Sequence, residues 1–196
     1  MALGTATAPY ELRFDAGRIC LDLLSTTHPE ERLDSVDVLR AWITGSGLVP
    51  ADTVLAHVDA TWPAAFRELR GQIDRLVRGW PGSGAPAYDF ALARVNDLAR
   101  PAPPAPRAVR SGDGELVRQL DPPGCPALLA AVARDAVDLL TDPVARAALR
   151  QCEGDNCPIV YLDTSRGRRR RWCSSEVCGN RERVARHRRR AALTRA

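Results

Sequence analysis

At 196 residues, 45% hydrophobic and 27% charged, the chain is too short for several large domains and too apolar to be disordered, which leaves one substantial core with room for a small satellite. Its net charge of +4 hides a division: Arg166 to Ala196 carries twelve arginines against Glu176 and Glu182, so residues 1–165 are net acidic. No run reaches the roughly 18 consecutive apolar residues that would span a bilayer, and the opening MALGTATAPYELRF has neither the basic nor the apolar part of a secretory signal.

The first 150 residues read mostly as helix. GRICLDLLSTT places Ile19, Leu23 and the Cys20/Leu24 pair at helical spacing. DSVDVLRAWITGSG offers Asp34 or Ser35 as an N-cap, then Val36, Leu39 and Trp42/Ile43 as an apolar stripe, with glycines to end it. PADTVLAHVDATW begins with proline and continues the same period through Val54, Leu55 and Val58. PAAFRELRGQIDRLVRGW is the clearest helix, with Phe66, Leu69, Ile73, Leu76 and Val77 on one face. After the break PGSGAP, AYDFALARVNDLAR resumes helix through Phe90, Val95 and Leu98. PAPPAP is a stiff connector, and RAVRSGDGELVRQL predicts a hairpin turning on Ser111–Gly114. CPALLAAVARDAVDLL predicts a buried helix. TDPVARAALRQ starts another, with Thr141 or Asp142 as cap and Pro143 in its first turn.

Near Arg150 the texture changes, dividing a mostly helical sensor or oligomerisation domain (1–150) from a satellite (151–196). PIVYLD is β-prone, TSRG is a turn, RRRRW is expected to return as the partner strand, and SSEVCGN is turn-rich. RERVARHRRRAAL is then helical, with Asn180 as its N-cap. On a returning strand Arg168, Arg170 and Trp172 would share one face, with Arg169 and Arg171 on the other. On the helix Arg183, Arg186 and Arg190 follow i, i+3, i+7, while Val184, His187 and Ala191 form a narrow strip expected to rest against the hairpin.

Cys152, Cys157, Cys173 and Cys178 are spaced C-x4-C-x15-C-x4-C. Two close pairs separated by a hairpin-length segment suit a tetrahedral four-cysteine zinc site, and four thiolates leave no coordination position open for catalysis. In the reducing cytoplasm, where this chain is expected to reside, clustered cysteines bind metal more often than they form disulfides. Four free thiols and an iron–sulfur cluster are the alternatives. A satellite this small cannot build much core alone, and one structural zinc, contributing about 10–16 kcal/mol in finger peptides, would order it.

CEGDNCPIVYLDTSRGRRRRWCSSEVCGNRERVARHRRR resembles the CGNR zinc-finger family, named for the residues at Cys178-Gly179-Asn180-Arg181. The body is similar to the stress-induced transcription regulator (ABATE-type) domain that accompanies this finger: GRICLDLLSTT resembles its opening motif and AVDLLTDPVARAALRQC its run into the finger. Ser25 stands where that family usually has asparagine. The resemblance implies a treble-clef-like β-hairpin–helix finger that binds DNA.

The residues also argue for nucleic acid directly, because the arginine fork suits phosphates and the O6/N7 edge of guanine. The candidate contacts are Arg168, Arg169, Arg170, Arg171, Arg181, Arg183, Arg186, Arg188, Arg189 and Arg190. A solvated basic face is the competing reading. Trp172 is expected to pack over the metal site rather than stack on a base, and Asn180 and Arg181 either brace the zinc loop or read DNA. The body has no HExxH or GxSxG signature. His28 and His57 are isolated, Cys20 and Cys125 read as small core residues, and Asp22 reads as a paired or capping acid. A bacterial DNA-binding transcription regulator, not an enzyme, is therefore expected, with RNA as an alternative partner, no membrane association, and a homodimer or a small-molecule effector as further possibilities. A zinc-dependent protein-interaction module is a third reading.

Overall fold

Six consecutive residues, Cys20 to Ser25, are buried in the first helix, α1 (Ile19–Ser25). A seven-residue helix buried all round must be surrounded by other elements of the chain. The computed structural model describes residues 12–55, 57–79 and 84–193. In chain order α1 is followed by α2 (Val36–Gly45), α3 (Thr61–Arg78), α4 (Pro86–Ala99), the hairpin β1 (Pro106–Arg110) and β2 (Leu116–Leu120), α5 (Cys125–Thr141), α6 (Pro143–Ala147), β3 (Leu149–Gln151), β4 (Val160–Leu162) and α7 (Cys178–Leu193). The chain is mainly helical, as expected, and the described residues form two small antiparallel two-stranded sheets. None of the described helices is long and apolar enough to cross a membrane.

α3 carries the face expected of it: Phe66, Leu69, Ile73 and Leu76 are fully buried. Trp42 of α2 meets Phe66 edge-on at 5.8 Å. α5 lays Leu128, Val132, Ala133, Ala136 and Leu139 on the same core. Ser35 caps α2 by accepting from the Val38 N–H at 3.4 Å, and Asp142 caps α6 through the Val144 and Ala145 N–H groups. β1 and β2 pair with Ala108 opposite Arg118 around the Ser111–Gly114 turn.

Two expectations for the body are corrected. The described residues of the stretch 51–60 are not helical, and the helix starts only at Thr61. Asp59 turns the chain there, accepting both the N–H and the hydroxyl of Thr61, while Leu55 and Val58 are buried as separate pegs. In α4 the inward residues are Ala91 and Val95, and Phe90 is exposed. Of the break PGSGAP, residues 81–83 lie outside the described residues.

α1 is docked by side chains distant in sequence. Asp135 of α5 accepts the Cys20 N–H at 2.9 Å and pairs with Arg18 at 2.9 Å, filling the N-cap role that Arg18 itself cannot. Asp22 is 6% exposed and accepts the Ala16 N–H at 2.9 Å. Burial pushes its pKa up to about 7 against the pull of that hydrogen bond, with Asp15 and Asp135 adding repulsion. The native state therefore holds a proton that the unfolded chain releases above about pH 4, so this group's contribution to stability falls as pH rises from about 4 to 7. Asp22→Asn keeps an acceptor for Ala16 and removes the titration. In urea unfolding, its stability is expected to gain about 2–3 kcal/mol on the parent between pH 5 and pH 8.

Candidate metal centre and basic surface

The chain leaves the body through β3, which pairs antiparallel with β4, Leu149 opposite Leu162. Cys152 follows β3, Cys157 closes the loop before β4, Cys173 ends the arginine loop, and Cys178 is the first residue of α7. All four are buried, and their sulfurs lie within 4.8 Å of one another. The Sγ–Sγ separations Cys157–Cys173 and Cys173–Cys178 are 3.7 and 3.6 Å. A regular tetrahedron with metal–sulfur bonds of about 2.3 Å has edges of about 3.8 Å, whereas a disulfide needs about 2.05 Å. The residues thus fit a four-thiolate metal ion of zinc type.

Local backbone features hold the ligands in place. Asn156 adopts φ +56° in the first knuckle, a region asparagine tolerates, and the Cys157 N–H bonds the Gly154 carbonyl at 3.1 Å. A Cβ on Gly154 would sit 3.3–3.5 Å from Cys178 and the Cys152 sulfur, so a side chain there would press on the ligands. In the second knuckle the Ser174 hydroxyl accepts the Glu176 and Val177 N–H groups. The Cys152 sulfur accepts from the N–H groups of Gly154 and Cys173, and the Cys173 sulfur accepts from Arg13 at 3.3 Å. Within the cluster, the Cys157 thiol and Arg13 hold Cys173 below the ordinary thiol value, whereas burial and the neighbouring Cys173 push Cys178 above it. Metal capture must therefore expel protons.

The run 168–172 is not the partner strand of β4. Arg168 has φ +46°, and Asp163 accepts the Arg170 N–H at 3.1 Å, which removes a donor a ladder would need. The strand paired with β4 is β3, upstream of the first cysteine. The sharing of faces expected for Arg168, Arg170 and Trp172 consequently does not arise. Arg170 turns inward: its guanidinium stacks 4.5 Å from the Tyr161 ring centroid and donates to the carbonyls of Asp15, Trp172 and Cys173. Arg168 and Arg169 are exposed, and Arg171 pairs with Glu153 at 2.6 Å. Arg170→Ala is expected to destabilise the metal-bound protein by about 2–4 kcal/mol in thermal or denaturant unfolding, whereas Arg169→Ala should change it by less than about 0.5 kcal/mol.

α7 starts two residues before the expected cap, so Asn180 lies inside the helix and is exposed. The Gly179 N–H bonds the Ser174 carbonyl at 2.9 Å, and Trp172 packs against Gly179, as expected of a tryptophan beside the metal site. Beyond this first turn most of the described side chains of the helix are exposed. Arg181, Arg183, Arg186, Arg188, Arg189 and Arg190 are exposed, while Glu182 and Ala185 are half-buried. The expected strip does not pack on the hairpin, since Val184 and His187 are exposed. Arg183 reaches back to the carbonyls of Gly179 and Ser175, and Arg189 approaches Glu182 at 3.9 Å.

Body and finger share one hydrophobic core, in which the four cysteines and Ile159–Leu162 join the helices of the body. The Leu162 N–H bonds the Ala16 carbonyl at 2.8 Å. Gly17, at φ +89°, leaves room for Leu162, which a Cβ would approach to 3.2 Å. Arg13 and Asp15, 3.0 Å apart, extend this seam to Cys173 and Arg170. Neither residue stood out in the sequence, since a lone arginine before a helix carries no spacing signal. Of the other singled-out residues, Cys20 is fully buried, Cys125 packs partly against the core, His57 is exposed, and His28 is half-buried near the finger. Ser25 donates to the Asp22 carbonyl at 2.7 Å, a local helix bond.

Comparison with known proteins matches the same two regions. Residues 17–143 match the family ABATE, described as "Putative stress-induced transcription regulator", and residues 148–191 match the CGNR zinc finger. No curated protein matches the chain. With most of its length covered by that first match and a tetrathiolate cluster within the second, the chain belongs to the ABATE family and carries a CGNR zinc finger at its C-terminal end.

Proposed function

We propose that the protein is a DNA-binding transcription regulator, in which one structural zinc on Cys152, Cys157, Cys173 and Cys178 orders the finger and the helical body acts as the sensor. The observation that carries this reading is α7. It begins at a metal ligand and presents six exposed arginines on a rod about 24 Å long. A helix of this width fits the DNA major groove. Arg183, Arg186 and Arg190 share one side of it, and Arg181 and Arg188, i and i+7, share another. Arg168, Arg169 and Arg171 on the loop extend the basic surface to flanking phosphates, while Arg170 is spent on the carbonyls of Asp15, Trp172 and Cys173. A binding protein rather than an enzyme fits a centre whose four positions are all thiolate.

Titrating fluorescent duplex DNA with zinc-loaded protein over a range of salt tests the reading. About six neutralised phosphates give a slope of log K against log salt near −5. Structured RNA added as competitor should displace the duplex only weakly; preferential RNA binding would move the assignment to an RNA-binding factor. Absence of binding to either nucleic acid would leave a protein-interaction role for the same arginines.

A further inference from the structure

A cleft of about 1010 Å³ lies between body and finger and reaches the first turn of α7. One wall is the segment before α1 and the turn after it, with Arg13, Phe14, His28 and Arg32. The other is the second knuckle and the start of α7, with Val177 and Arg181. Phe14 and Val177 are exposed at 38% and 45%, which gives the cleft an apolar lining that neither wall covers. His28 shares this lining with Arg13, Arg32 and Arg181, and its pKa is held below the ordinary histidine value by desolvation and then by Arg181, with Arg13 and Arg32 adding to the effect and Cys173 opposing it; Arg32 also pairs with Glu30 at 3.3 Å. Of the cleft's carboxylates, Asp15 is already neutralised by Arg13 at 3.0 Å, and Asp155 and Glu176 sit on the finger's two knuckles.

We propose that this cleft binds a small organic anion, a carboxylate or phosphate monoester carrying an apolar group, with its head among His28, Arg32 and Arg181 and its apolar part against Phe14 and Val177. Guanidinium groups and an imidazole N–H supply charge-assisted donors to such a head, and an apolar wall beside them fits the remainder of the molecule. Because Arg181 belongs to the first turn of α7 and His28 to the body, one bound anion would bridge the two. This makes the cleft the input of the regulator, a consequence that rests on the DNA-binding reading; the binding itself does not.

The test is calorimetric titration of the zinc-loaded full chain, without DNA, using benzoate, hexanoate and phenyl phosphate, each beside its uncharged counterpart benzamide, hexanamide or phenol. The expected result is binding of at least one acid with Kd in about the millimolar range or tighter, and none of its counterpart. Arg181→Ala and His28→Ala should each weaken it about tenfold, and Arg188→Ala, outside the cleft, should leave it unchanged. Zinc content and melting temperature confirm that each variant is folded. The proposal is overturned if no acid binds, if the uncharged counterpart binds equally, or if both cleft variants bind as the parent does. DNA titrations with and without the bound acid then report the bridge separately, so failure of DNA binding leaves the calorimetric result standing.

Discussion

Serine at both Cys157 and Cys178 is expected to abolish metal binding and to unfold the chain from about residue 152 onward while the body stays folded. A serine hydroxyl does not replace a thiolate on zinc, and the zinc contribution in comparable fingers is about 10–16 kcal/mol. The finger has little else of its own: the run Ile159–Leu162 is buried, but it is buried against the body, and α7 has an exposed surface beyond its first turn. The body keeps the core that α2, α3 and α5 make with one another. Metal analysis should find about one zinc per parent chain and none in the variant. Hydrogen exchange should show loss of protection in the arginine loop and α7 with protection retained in α3 and α5. A variant that is metal-free yet protected throughout α7 would remove the metal from the account.

The second large effect is on nucleic-acid binding. Replacing Arg186, Arg188 and Arg189 together by alanine should lower DNA affinity by about 100-fold at moderate salt and reduce the salt slope by about 2–3. Folding should be unaffected. All three side chains are exposed, and the one ion pair among them, Arg189 with Glu182 at 3.9 Å, is of the kind that contributes little. The contrast with Arg170 is informative: its loss should register as instability before it registers as weaker binding, because its donors already serve backbone carbonyls. A triple variant that binds like the parent would show that these arginines form only a solvated surface.

The sequence carried those parts of the molecule that depend on local rules. α3 and α5 announce themselves through long apolar periods, and the β1–β2 hairpin through its glycine-containing turn. The four cysteines were legible because paired ligands at equal spacing have few other uses, and the structure gathers all four. What was not legible depends on partners far along the chain. Alternating arginines at 168–172 satisfy a strand pattern as well as a loop, and the choice is made by Asp163 and by the left-handed turn at Arg168. The partner of β4 is a three-residue strand too short to show a period. Residues 51–60 have helical spacing, but Asp59 ends the turn from outside the pattern. Arg13, Asp135 and Arg170 acquire their roles only when the body and finger meet.

The central claim is that metal-ordered arginines on α7 and the preceding loop meet nucleic acid. Its most direct measurement is the affinity of the full chain for duplex DNA with zinc bound and after zinc removal by a chelator, followed across a range of salt. Binding with a slope near −5 is expected for the zinc-loaded chain, lost or reduced at least tenfold once zinc is stripped, and restored when zinc is returned. Equal affinity with and without zinc, or binding with no dependence on salt, would contradict it.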